Sequence, residues 1–273
     1  VQALLGDGAD RFFADYKYFI EPATDDRPYF SHFFKWRSQP EVMAMRVSGG
    51  AGLIEWAYLI VITTLVQAAL IGGLLILLPL SLMKRTWSGG VRFGAYFLAL
   101  GLAFLFVEIA FIQKFTLFLG HPLYAVAVVL ASFLVFAGAG SACSLRLARR
   151  AAARELRPVS IAVAGIVSIA VLYLLILPPL FSRFIGIADS LRVLLSIVLI
   201  APLAFFMGMP FPLGLRRVAA RAPDFVPWAW GINGFASVVS AVLATLLAIH
   251  FGFTIVIVLA MLIYMAAAAL KVA

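Results

Sequence analysis

Charge is what this sequence has least of. Only 12% of its 273 residues are Asp, Glu, Lys or Arg, whereas a soluble globular domain carries about 25%. Cysteine occurs once, as Cys143 inside an apolar run, so an internal disulfide is excluded. The three histidines, His32, His121 and His250, are far apart and show no metal-ligand spacing. No nucleophile–base arrangement or phosphate loop is present, and the GDG of residues 6–8 has no strand to frame it. There is no low-complexity tract and no clear internal repeat. No signal peptide is visible in these residues, because charged residues begin at once with Asp7, Asp10 and Arg11. With Val1 as its first residue, the chain reads as the C-terminal portion of a longer protein.

Apolar residues are abundant, at 64% with a mean hydropathy of +1.09. So many cannot share one water-facing core, and they need lipid as solvent. The net charge is +9 and the pI about 10.1. Nucleic-acid binding is rejected as its cause, since the basic residues fall mainly in short loops between apolar runs, where they set membrane orientation.

A spanning helix needs about 20 apolar residues. Seven runs qualify, at 53–82, 92–119, 121–145, 158–182, 191–214, 227–249 and 251–271. The fold expected is therefore all-α: a polytopic transmembrane bundle of about seven helices over residues 51–273. Residues 1–50 form an aromatic-rich extramembrane or interfacial segment, the end of a preceding domain. The last two runs are separated only by His250–Gly252, which implies a tight hairpin. Alternate loops carry the positive charge: Lys84, Arg85 and Arg92, then Arg146, Arg149, Arg150, Arg154 and Arg157, then Arg216, Arg217 and Arg221. The positive-inside rule puts these loops and the C-terminus in the cytoplasm, and residues 1–50 outside. Lys35, Arg37 and Arg46 vote the other way.

Polar groups inside the runs are the candidate site. Glu108 is a carboxylate within a spanning helix, which costs about 2.5–3.5 kcal/mol on insertion scales. Gly94, Gly101 and Glu108 recur every seven residues on one face, where small residues admit a neighbouring helix. Gln67 lies at a similar depth, so the two could hydrogen-bond across an antiparallel pair. The functional reading is a proton relay or cation site; the structural one is a glutamate that joins helices. GAGSACS (138–144) reads as a close-packing surface. In PLAFFMGMPFPLG, the prolines 202, 210 and 212 break the fifth helix and should free the carbonyls of Phe206 and Gly208. On the sixth, Asn233, Ser237 and Ser240 share a face, and Asn233 could meet Gly208 and Pro210. Trp56, Trp87, Trp228 and Trp230 read as interface anchors, His121 and His250 as outer-turn residues, and Lys114 as a side chain snorkelling outward.

Four stretches together resemble one family: YKYFIEPATDDRPYFSHFF (16–34), GLAFLFVEIAFIQKFTLFLGHPLYAVAVVLASFLVFAGAGS (101–141), LIAPLAFFMGMPFPLGL (199–215) and PWAWGINGFASVVSAVLATLLAIHFGF (227–253). They are similar to the C-terminal membrane region of bacterial spermidine-synthase-like membrane proteins, which join membrane helices to a domain like aminopropyltransferases and S-adenosylmethionine-dependent methyltransferases. The resemblance implies a bacterial inner-membrane protein whose bundle anchors or serves a soluble domain outside these residues. An S-adenosylmethionine-type cofactor and any transferase activity would belong to that missing domain; no catalytic residue carries over to this chain. Two other readings stay open. One is an accessory subunit of a larger membrane complex. The other is a transporter-like unit with a site at the broken fifth helix and a cavity reaching mid-membrane. The partners expected are the lipid bilayer and other membrane subunits, with no nucleic acid.

Overall fold

The structure, a computed structural model, describes residues 9–16, 18–29, 35, 53–81, 90–153, 157–270 and 272. Among them there is no strand, and six helices are long and apolar enough to cross a membrane. The chain is a multi-pass helical membrane protein. A short helix α1 (Ala9–Asp15) precedes the bundle. Helix α2 runs over 53–81 as Leu53–Gly72, a π turn at Gly73–Leu77, and Leu78–Ser81. Then come α3 (Gly90–Leu119), α4 (Pro122–Ala152), α5 (Pro158–Phe184), α6 (Asp189–Met207), α7 (Pro210–Arg221) and α8 (Val226–Ala269). Proline opens α4, α5 and α7, where its missing amide hydrogen costs nothing.

Helix α8 has 44 residues, about 66 Å if straight, or twice the hydrocarbon thickness. It is not straight, because Gly252 interrupts it with φ 83° and ψ 163°. The contacts with α3 show what this does. Before the break, Asn233 donates to the Phe97 carbonyl and Ser240 to that of Leu102, so the two helices run parallel. After it, Thr254 lies beside Lys114 through a shared aspartate, and Arg92 donates to the Leu270 carbonyl. The second half therefore runs back along α3. The hairpin expected at His250–Gly252 is present, and the six long helices make seven crossings.

Helix α3 is the centre of the bundle. Tyr96, Phe97, Ala103, Ala110, Phe115 and their neighbours are almost wholly buried. The Gly94–Gly101–Glu108 stripe faces α8 at its glycines: a Cβ on Gly101 would lie 2.5 Å from the Asn233 carbonyl oxygen, and one on Gly94 3.4 Å from Ile232. Helices α4 and α6 meet backbone to backbone. A Cβ on Gly140 would stand 1.8 Å from the Phe205 oxygen, and one on Gly208 2.0 Å from that of Ala137. GAGSACS is thus a packing surface at Gly140 and Ser144, which is buried, although Gly138 faces open space.

Helix α2 lies at the edge. It rests on α8 through Gly72 beneath Phe235, Leu80 against Gly231, and the Tyr58 hydroxyl 2.8 Å from His250 Nε2. Ile60, Val66, Leu70, Leu74 and Leu75 are all more than half exposed. Such a row of apolar side chains is solvated by lipid, not water.

Candidate functional site

The turn Thr24–Arg27 ties the N-terminal segment to the bundle. Thr24 and Arg27 exchange backbone hydrogen bonds, and the Arg27 amide also donates to Thr24 Oγ1. This projects Asp26 onto the Gly252 break. Its carboxylate accepts from the Thr254 amide (2.9 Å), from Thr254 Oγ1 (2.6 Å) and from Lys114 Nζ (2.9 Å). Its backbone carbonyl accepts from the Phe253 amide at 3.0 Å. The first amides of a helix have no partner within it. Here the preceding residues, His250, Phe251 and Gly252, include no capping side chain, and a segment more than 220 positions away supplies the acceptor. An anion at a helix N-terminus also meets the positive end of the helix dipole.

Burial pushes the Asp26 carboxyl up, but the hydrogen bonds from Thr254 and Lys114 and the Lys114 charge outweigh it, holding the group below its usual 3.8. Beside it, Tyr29 packs its ring on Phe253, and burial pushes its hydroxyl up to about 12. Arg27 pairs with Glu21 at 3.4 Å and lies over the Phe19 ring. Lys35 Nζ donates to the carbonyls of Phe13, Ala14 and Tyr16, closing the C-terminal end of α1. Lys35 thus serves as a local cap, and its positive charge remains on this side of the bundle; Arg37 and Arg46 lie outside the described residues.

Beneath this turn is a cavity of about 390 Å³ between α3, α5 and the start of the returning half of α8. Its walls are apolar and aromatic, with Phe111, Phe118, Tyr173 and Phe181 prominent, and its rim carries Asp25, Asp26, Lys114, Thr254 and Ser182. The rings hold α3 and α5 apart: Phe118 stacks on Phe181 with centroids 4.5 Å apart, and Phe111 leans on Tyr173 at 6.2 Å. From Ser182 down to Ala170 the lining follows α5 for about 18 Å, to the middle of that helix.

The side chains singled out from sequence are not gathered into one site. Glu108 is buried at 8% exposure and makes no hydrogen bond or ion pair among the described residues. Gln67 is exposed on α2. The expected pair does not form, because α2 packs on α8 and turns Gln67 toward lipid. Asn233 and Gly208 do not meet either: Asn233 is bound to Phe97 on α3, while Gly208 is pressed against Ala137 on α4. Ser237 donates to the Asn233 carbonyl within its own helix. The fifth run is broken as expected, with α6 ending at Met207 and α7 starting at Pro210. The Phe206 carbonyl is not freed, since the Met209 amide donates to it at 3.2 Å. The Pro210 carbonyl accepts from the Tyr96 hydroxyl at 2.6 Å. Lys114 does not snorkel; it is bound to Asp26. His250 is held by Tyr58, and His121 makes no side-chain cap on α4. Trp230 is exposed beside Phe211, whereas Trp87 and the side chain of Trp56 lie outside the described residues.

No family model, curated protein or solved structure matches the chain. Tyr96, Tyr173 and Asp26 escaped the sequence reading. The tyrosines look like ordinary apolar-run residues, and Asp26 is one of several acids in a polar segment. The one local signal was Gly252 followed by a helix with no cap of its own.

Proposed function

We propose that this chain is the membrane-embedded portion of a bacterial spermidine-synthase-like protein, a platform that anchors a soluble domain at one end of its bundle. The Asp26 clamp carries this reading. Much of the resemblance rests on the string PATDDRPYF, whose Asp26 and Tyr29 are fastened to the bundle, and a rigid joint is what an anchored domain requires. The clamp sits where α3 ends and α8 reverses. Arg146, Arg149 and Arg150 on α4, and Arg216, Arg217 and Arg221 on α7, lie toward the other end. With those arginines on the cytoplasmic side of an inner membrane, the C-terminus is cytoplasmic and the clamp faces outward. The described residues contain no strand, so a doubly wound sheet for an S-adenosyl group would have to lie outside them. A domain held outside the cytoplasm is also away from the cell's supply of that cofactor, so the proposed role is anchoring and not aminopropyl transfer.

The transport reading draws less support: a cavity does run to the middle of α5, but it is not lined by the residues that reading invoked. The polar residues it needs, Glu108, Asn233 and Gly208, belong to separate interfaces. The accessory-subunit reading loses its docking faces, since Gly101 and Gly140 are used inside the chain.

A protease site inserted between residues 38 and 52 tests the platform role. After cleavage in membranes, the N-terminal part should stay with the bundle in the wild type and wash off in Asp26→Ala. Release from the wild type, or retention in the variant, would overturn the proposal. Calorimetry of the intact protein with S-adenosylmethionine should show no binding; clear binding would restore an enzymatic role.

A further inference from the structure

We infer that the cavity beneath the Asp26 turn is a binding site for a single-chain amphiphile with an amine head group. This does not depend on the platform role. At about 390 Å³ the space is at the lower end of ligand pockets, and too small for a two-chain phospholipid. Its shape is a slot, running about 18 Å from Ser182 to Ala170 along α5. Of the deep walls, Phe111, Ala170, Leu174, Leu177 and Ile257 offer nothing to a polar group, and the Tyr173 hydroxyl is already given to the Leu199 carbonyl, whereas an alkyl chain gains about 25 cal/mol for each Å² it buries there.

The rim decides the head group. Three charged side chains line it: Asp25, Asp26 and Lys114. Asp26 and Lys114 neutralise one another at 2.9 Å. Asp25 is exposed and makes no hydrogen bond or ion pair among the described residues. The lining of the mouth therefore carries one unpaired carboxylate directly above an apolar slot, while Arg183, next to Ser182, is exposed and is not part of that lining. An ammonium on a hydrocarbon chain complements both features, and a carboxylate or sulfate head would be repelled. Leu117, Pro178 and Ile185 on the open side are exposed, so the ligand enters from the lipid and not from water.

The test uses the whole chain in lipid nanodiscs, with bound ligand counted by native mass spectrometry. Dodecylamine, dodecanol and dodecanoate have the same chain and differ in the head. The wild type should bind one amine, with an amine-over-carboxylate preference of tenfold or more. In Asp25→Asn that preference should fall about tenfold while the unfolding temperature stays put, since Asp25 has no partner to lose. Ala170→Phe should reduce binding of all three by blocking the slot. Lysophosphatidylethanolamine and dodecylamine separate the sources: tighter binding of the first assigns a membrane lipid, of the second a free alkylamine. Equal binding of the three heads, preference for the carboxylate, or a preference unchanged in Asp25→Asn would overturn the inference.

Discussion

Asp26 Oδ2 occupies the space that a side chain at residue 252 would need: a Cβ on Gly252 would lie 2.3 Å from it. The backbone there, φ 83° and ψ 163°, is in a region open almost only to glycine. Two independent penalties thus fall on Gly252→Ala. Strain alone should cost about 1–3 kcal/mol, and the displaced Asp26 adds the loss of its bonds. Denaturant unfolding in detergent measures the sum. In an Asp26→Ala background the main clash disappears, while the strain and a 3.1 Å approach to Arg27 Cγ remain, so the same substitution should cost less. An identical cost in both backgrounds would mean the carboxylate is not packed on the turn.

The clamp should also respond to acid. Asp26 titrates below its usual 3.8 in the folded protein, so its contribution is complete above that value and fades as pH falls through the lower folded value. Retention of the cleaved N-terminal part, measured as above, should be constant from pH 7 to about 5 and decline below about 4. Asp26→Asn should abolish the pH dependence and cost about 2 kcal/mol, the usual scale for hydrogen bonds to a charged group. A decline centred near pH 6 would point to a histidine instead.

Much of this fold was legible because lipid leaves so few options. Each apolar run of about 20 residues had to be a helix, and the stripe at Gly94 and Gly101 announced a close neighbour. The partners of those helices were not legible. Gln67 and Glu108 stand at similar depths, but depth says nothing of azimuth, and α2 packs on α8. Asp26 was hidden for a related reason. Its role is to cap a helix that lies more than 220 residues downstream, and no local pattern encodes so distant a pair.

Glu108 is a buried carboxylate to which no described residue gives a hydrogen bond. Placing such a group at membrane depth costs about 2.5–3.5 kcal/mol. If its role were structural glue, Glu108→Leu would break something and destabilise. Its buried polar neighbour is Tyr264 on the returning half of α8, but with no hydrogen bond or ion pair to lose among the described residues, the same change should leave stability equal or raise it by about 1–3 kcal/mol. Unfolding in detergent distinguishes these outcomes. A loss of more than about 2 kcal/mol would mean that the carboxyl makes a stabilising bond and overturn this reading.

The α4–α6 contact allows a sharper comparison, because two glycines of one helix, two positions apart, have opposite surroundings. Around Gly138 nothing lies within 4 Å of an added Cβ, whereas at Gly140 it would meet the Phe205 carbonyl oxygen at 1.8 Å. A backbone oxygen cannot rotate aside as a side chain can, so Gly140→Ala must push the two helices apart. That should cost more than about 2 kcal/mol, the scale of core overpacking. Gly138→Ala keeps every contact and gains helix propensity, so it should be neutral or stabilising by up to about 1 kcal/mol. If helix propensity alone governed α4, the two substitutions would shift stability together and in the same direction. Opposite signs, read from paired unfolding curves, are what the Gly140–Phe205 contact requires.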